Sequence, residues 1–190
     1  MLDAMQKIPR RSLLAGAAII PAAAIRSAAQ TTRSVFSDAQ KRCLEAFANR
    51  LIPSDEYSPS AVECGAVEYI DRSLAEPQAG GVAAILTGLD GVDAFAKKSQ
   101  GAWLAELPAE KQDAVLTAIE KAPDTAAFFT TVRRLVLEGM FCDPRWGGNR
   151  NYAGWDLIRY PGPRLAVAVE EQQIGVQVKP LRPAGETHGH

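Results

Sequence analysis

Three observations predict a mainly α-helical domain. Apolar residues recur at three- and four-residue spacing from Ser37 to Phe141, helix start and stop signals flank most of those runs, and no useful alternating pattern precedes residue 164. The composition is 47% apolar and 23% charged over 190 residues, enough apolar material for one helical core. The expected architecture is a small domain of about five helices, followed by an irregular aromatic C-terminal loop and an extended tail.

The first helix is predicted from Ser37 to Ile52. Ser37-Asp38-Ala39-Gln40 is a capping box, in which the Ser and Gln side chains satisfy each other's exposed backbone donors. Leu44, Phe47 and Leu51 supply its apolar face, and Pro53 stops it. After the turn-rich stretch 53–59, Val67, Ile70 and Leu74 share a face of a second helix that ends at Glu76-Pro77, with a loop at 78–81. Val82, Ile85, Leu86, Leu89 and Phe95 predict a third, weakened by Gly88 and Gly91. A fourth starts near Pro108, where the missing N–H does no harm in a first turn, and Val115, Leu116 and Ile119 form its core face. The fifth opens with Asp124 as N-cap and carries the stripe Phe128, Val132, Leu135, Val136 and Met140. Asp143-Pro144 ends it, because the residue before proline avoids helical dihedrals.

Residues 141–160 hold five of the thirteen aromatics and two of the three Trp, in a stretch broken by Gly and Pro. Loops do not ordinarily collect Trp, so this composition points to a surface with a purpose. The tail, 164–190, carries Val167, Val169, Ile174, Val176 and Val178 but ends polar, and reads as an arm seeking a partner surface.

The N-terminus reads as a targeting segment over residues 1–29. A basic stretch ending in Arg10-Arg11-Ser12 precedes a weakly apolar run, Leu13 to Ile25, and small residues follow at Ser27 and Ala29. Adjacent arginines before such a run are the pattern of a twin-arginine export signal, and Arg26 behind it discourages the ordinary secretion route. That route carries folded cargo to the periplasm. Removal of 1–29 leaves a mildly acidic chain with 17 basic and 21 acidic residues. Such a balance excludes a nucleic-acid binder that works by phosphate neutralisation, and no apolar run reaches the ~20 residues of a membrane span.

Candidate chemistry is sparse. The two His, His188 and His190, stand at the chain end without a fixed geometry for metal. Acid–base or triad chemistry through histidine therefore has no candidate in the domain, and haem-attachment, P-loop and dinucleotide motifs are absent from the sequence. Gly147-Gly148-Asn149 follows a helix and a Pro turn rather than a strand, so it reads as a tight turn allowing positive φ, not a phosphate cradle. Cys43, Cys64 and Cys142 leave three readings open: one pair with a spare, an intermolecular bridge, or buried thiols acting as small apolar groups. An independent enzyme would need a carboxylate pair such as Glu138 and Asp143. A sugar-binding module would use Trp146 and Trp155 as a stacking platform.

The run 137–149, Leu-Glu-Gly-Met-Phe-Cys-Asp-Pro-Arg-Trp-Gly-Gly-Asn, with Gly154-Trp155 and Pro161-Gly162-Pro163, resembles the small subunit (subunit 3) of gluconate 2-dehydrogenase. Leu51-Ile52-Pro53-Ser54-Asp55 and Val67-Glu68-Tyr69-Ile70-Asp71 are similar to earlier segments of that family, and the likeness spans roughly 36–163. The resemblance implies a subunit-3-like domain over 30–163, without catalytic, cofactor or metal residues of its own. It implies a heteromeric complex in the periplasm, held at the inner membrane through its partners. There a large subunit binds FAD and oxidises a sugar or sugar acid, and a cytochrome c subunit, where present, passes electrons on through haem. Related complexes act on glucosides, as in glucoside 3-dehydrogenase-type assemblies. The small subunit supports maturation and export of the flavoprotein. On that reading Arg10 and Arg11 are the export signal. Phe141, Trp146, Gly147, Gly148, Asn149, Tyr152, Trp155 and Tyr160 form the partner-binding surface, and Cys142 is a candidate for an intermolecular disulfide.

Overall fold

A computed structural model describes residues 34–76 and 79–182. The export signal with Arg10 and Arg11, the Pro77-Gln78 step, and the terminal His188 and His190 lie outside the described residues. Six α-helices follow in order: α1 (Asp38–Leu51), α2 (Ala66–Leu74), α3 (Val82–Gln100), α4 (Ala109–Lys121), α5 (Ala126–Phe141) and the short α6 (Ala153–Leu157). No strand forms among the described residues. The class is mainly α, as predicted, with one short helix more than the apolar periodicity revealed.

The N-terminus of α1 is the expected capping box. The Gln40 amide donates to Ser37 Oγ (3.3 Å) and the Ser37 amide to Gln40 Oε1 (3.0 Å). Gln40 also reaches Asp90 of α3 at 3.0 Å, so the cap residue joins two helices. Phe47 is fully buried at the centre of the core, with the Phe129 ring 5.3 Å away and the Phe128 ring edge-on at 6.3 Å. Arg50 forks onto Asp113 of α4 through two bonds of 2.7 and 2.8 Å, the planar geometry that suits a carboxylate.

α5 is the spine, and α2 packs most closely on it. A Cβ on Gly139 would stand 2.8 Å from the Ala66 Cα, so only glycine allows this approach. On the opposite flank a Cβ on Gly88 would lie 2.2 Å from the Phe128 ring. The apparent helix weakness of Gly88 is therefore the space that seats an aromatic of α5.

Two expectations change. Asp124 does not cap α5; Thr125 precedes the helix and its hydroxyl donates to the Ile119 carbonyl at 2.6 Å. The Ala126 amide bonds Ala122, so the end of α4 supplies the acceptor that an N-cap side chain otherwise provides. Phe95, expected on the core face of α3, is 38% exposed, while Phe129, absent from the predicted stripe, is buried.

Candidate functional site

The aromatic segment begins where α5 ends, and one side chain organises it. Asn149 is fully buried with φ 45°, a left-handed conformation that Asn tolerates better than most residues. Its amide donates to the Gly139 carbonyl (2.8 Å) and its Nδ2 to the Cys142 carbonyl (2.8 Å), closing the C-terminal end of α5. Its Oδ1 accepts from the Gly154 amide (2.9 Å) and, more weakly, from that of Trp155 (3.4 Å), closing the start of α6. One asparagine thus satisfies orphan groups of two helix ends.

The glycines divide by role. Gly147 has φ 95° and terminates the 3-10 turn Pro144–Trp146, the positive-φ turn expected of it. Gly148 is needed for contact: its Cβ would stand 2.0 Å from the Gly139 carbonyl oxygen. A Cβ on Gly154 would meet the Met140 oxygen at the same distance. The loop amides are turned inward, Gly147 onto Pro144, Asn149 onto Gly139 and Arg150 onto Cys64. They build the loop rather than presenting donors to a phosphate, in agreement with the turn reading.

Six of the eight predicted partner-binding residues separate into two sets, with Gly147 and Tyr152 half-buried between them. Trp155 is only 4% exposed; its Nε1 donates to the Phe141 carbonyl at 2.8 Å, and its ring packs against Tyr152 at 5.5 Å and Tyr160 at 5.0 Å. With Gly148, Asn149 and half-buried Phe141 it serves the chain's own fold, which corrects the expectation that its ring faces a partner. The indole N–H needs an acceptor, and the free carbonyl at the end of α5 provides one. Trp146 projects outward, 58% exposed, and Tyr160 is 39% exposed, next to the exposed Leu157 and Ile158.

Trp146 is aimed by its surroundings. The Gly147 backbone lies against the Arg72 guanidinium, where a Cβ would meet Cζ at 2.9 Å. Tyr69, Arg72, Ser73 and Glu76 of the α2 end line a shallow cleft beside the indole. Burial is the main cause that raises the Tyr69 phenol above its ordinary value, so it stays neutral.

The other candidates are occupied elsewhere. Glu138 pairs with Arg134 one turn away, and Asp143 accepts from the Arg145 amide and pairs with its side chain at 3.3 Å. Each carboxylate is thus held by an arginine of its own. With Trp155 buried, Trp146 and Trp155 form no double stacking platform. Cys43, Cys64 and Cys142 are unpaired, and burial above all raises each thiol. The Cys142 thiol donates to the Gly139 carbonyl at 3.6 Å and faces the Gly148 amide, turned toward the loop that Asn149 closes. No group of three or more His, Cys, Asp or Glu suited to a metal occurs among the described residues, nor a helix long and apolar enough to cross a membrane.

Sequence reasoning missed the Asn149 hub, although an Asn after two glycines is a signal for a left-handed capping position. It also missed the tail's return. Arg182 lies 4.8 Å over the Tyr152 ring, donates to Asp156 and reaches the Tyr160 carbonyl, so the far end of the tail clamps the aromatic cluster.

No curated protein and no solved structure matches the chain. A family comparison matches residues 38–162, from the first residue of α1 through the aromatic loop that Asn149 organises. The chain belongs to the gluconate 2-dehydrogenase subunit 3 family.

Proposed function

We propose that this chain is the non-catalytic small subunit of a periplasmic, FAD-dependent sugar or sugar-acid dehydrogenase. Its role is to support maturation of the flavoprotein subunit and its export by the twin-arginine route. The observation that carries the reading is Trp146: a large aromatic, 58% exposed, on the turn that Gly147 terminates. Interfaces concentrate binding energy in such Trp, Tyr and Arg anchors, about 2 kcal/mol or more each on truncation. The Arg10-Arg11 pair in the leader supports the export half of the reading.

On this reading FAD resides in the large subunit, and haem in a cytochrome c subunit where one is present. Trp146, with Arg72 and Tyr69 beside it and Tyr160 on the α6 side, forms the docking face; Asn149, Gly148 and Trp155 fix the backbone that presents it. The test is co-expression with the flavoprotein. Trp146→Ala should reduce copurification at least tenfold while helical circular dichroism is kept. Undiminished copurification would remove the docking assignment.

A further inference from the structure

Residues 165–178 form a projecting arm. Every residue from Leu165 to Gln177 is exposed except Glu171, and Leu165 and Ile174 are as open as in an extended chain, at 110% and 106%. Val169 is 75% exposed, and Val167 and Val176 each 43%. The bulky apolar side chains fall at every second position, 165, 167 and 169 on the outgoing leg, where Ala166 and Ala168 stand between them, and 174, 176 and 178 on the returning one. Only the short turn 169–172 joins them.

The base of this arm is closed. Arg164 bonds the Lys179 carbonyl and pairs with Glu171 at 2.8 Å, and the Leu181 amide donates to Pro161 at 2.7 Å. A Cβ on Gly162 would stand 2.4 Å from the Leu181 oxygen, so the two ends of the arm touch. Arg182 then locks the end onto α6. The legs make no ladder with each other: the Glu171 amide bonds Ala168 at the start of the short turn, the Val176 amide bonds Gln173 just after it, and no backbone–backbone bond runs from one leg to the other. A chain that fixes both ends of a loop and leaves five bulky apolar side chains and most of its amides in water has built a docking element.

We infer that the arm 165–178 is a second attachment to the flavoprotein subunit, taken up as extended chain on a partner surface with apolar pockets at two-residue spacing and a basic side chain near the tip. Extended segments are recognised in this way, with backbone pairing for affinity and alternate side chains for selection. Charge decides the occupant. The arm carries Glu170 and Glu171, the latter already paired with Arg164, and no basic residue between 165 and 178, so a lipid surface would draw the uncompensated Glu170 carboxylate toward the bilayer. A second copy of this acidic chain would meet like charge. The returning leg also lines one groove with Asp156, Tyr160 and Pro161, which makes the arm continuous with the exposed end of α6. The inference rests on the small-subunit reading, and a separate variant tests each.

The experiment uses the full chain co-expressed with its flavoprotein. The triple variant Leu165→Asp, Val169→Asp, Ile174→Asp should lose at least tenfold in copurification, with the midpoint of its own thermal unfolding unchanged, since these side chains are exposed. Trp146→Ala is run beside it. Loss with the arm variant alone upholds the arm and removes the Trp146 face. Loss with Trp146→Ala alone upholds the face and overturns the arm. An arm variant that retains the partner, or that loses its own fold, overturns the inference. So does arm-dependent self-association of the purified chain, or its arm-dependent flotation with vesicles of three parts phosphatidylcholine to one part phosphatidylglycerol.

Discussion

At the residue scale, Asn149 concentrates more structural consequence than any other polar side chain of the site. Asn149→Ala removes a donor to Cys142 and the acceptor for Gly154, leaving buried groups unsatisfied at two helix ends. The expected cost is about 2–4 kcal/mol, read as a lower denaturation midpoint. Asn149→Asp keeps the acceptor but sets a carboxylate against the Cys142 carbonyl, so it should not rescue. Trp146→Ala should leave stability within about 0.5 kcal/mol, because the ring is mostly in water. That opposition separates the residue that builds the loop from the residue the loop presents. Cys142 is the thiol named for an intermolecular bridge, and its sulfur rests 3.6 Å from the Gly139 carbonyl. Non-reducing electrophoresis of the complex checks it: a band at the summed mass that reductant dissolves upholds the bridge, and a monomer-sized band leaves the thiol a packing role.

At the element scale, α3 contains its own control. Gly88 and Gly91 have the same intrinsic helix weakness, and sequence alone cannot rank them. A Cβ at Gly88 collides with Phe128, whereas one at Gly91 meets nothing within 4 Å. Gly88→Ala should therefore destabilise by about 1–3 kcal/mol despite the better helix former. Gly91→Ala should stabilise by about 0.5–1 kcal/mol. Chemical denaturation of the two variants checks the sign of each. The same contrast explains the start of α5: Asp124 is the better cap by residue type, but the end of α4 already supplies the acceptor.

At the scale of the whole molecule, two behaviours follow. Burial raises all three thiols, and at Cys43 the neighbouring Asp93 adds to it. A thiol whose folded value lies above its unfolded one contributes stability that is complete below the ordinary value of 9.0 and is lost as pH rises past it. Melting temperature should fall above pH 9, and Cys43→Ala should flatten that alkaline limb while costing about 1 kcal/mol at neutral pH through lost packing. Export provides the second. Arg10→Lys with Arg11→Lys should hold both this chain and its flavoprotein in the cytoplasm. Normal dehydrogenase activity in the periplasm of the double variant would remove joint export from the proposal.

The five long helices were legible because each carries a periodic apolar face and a local stop or start: Ser37 with Gln40, Pro53, Pro108, Asp143 with Pro144. These are short-range effects, decided within one or two turns of chain, and they hold wherever the segment sits. The exposed aromatic loop was legible as an anomaly of composition. What each aromatic does in it was not. Trp146 and Trp155 have the same side chain in the same glycine-rich stretch, yet one finds the free Phe141 carbonyl and is buried while the other points outward. Gly88 and Gly91 diverge for the same reason, as does the tail, whose Arg182 returns to Asp156 across 26 residues. In every such case the deciding partner comes from another element, and its position exists only once α2, α5 and α6 have packed.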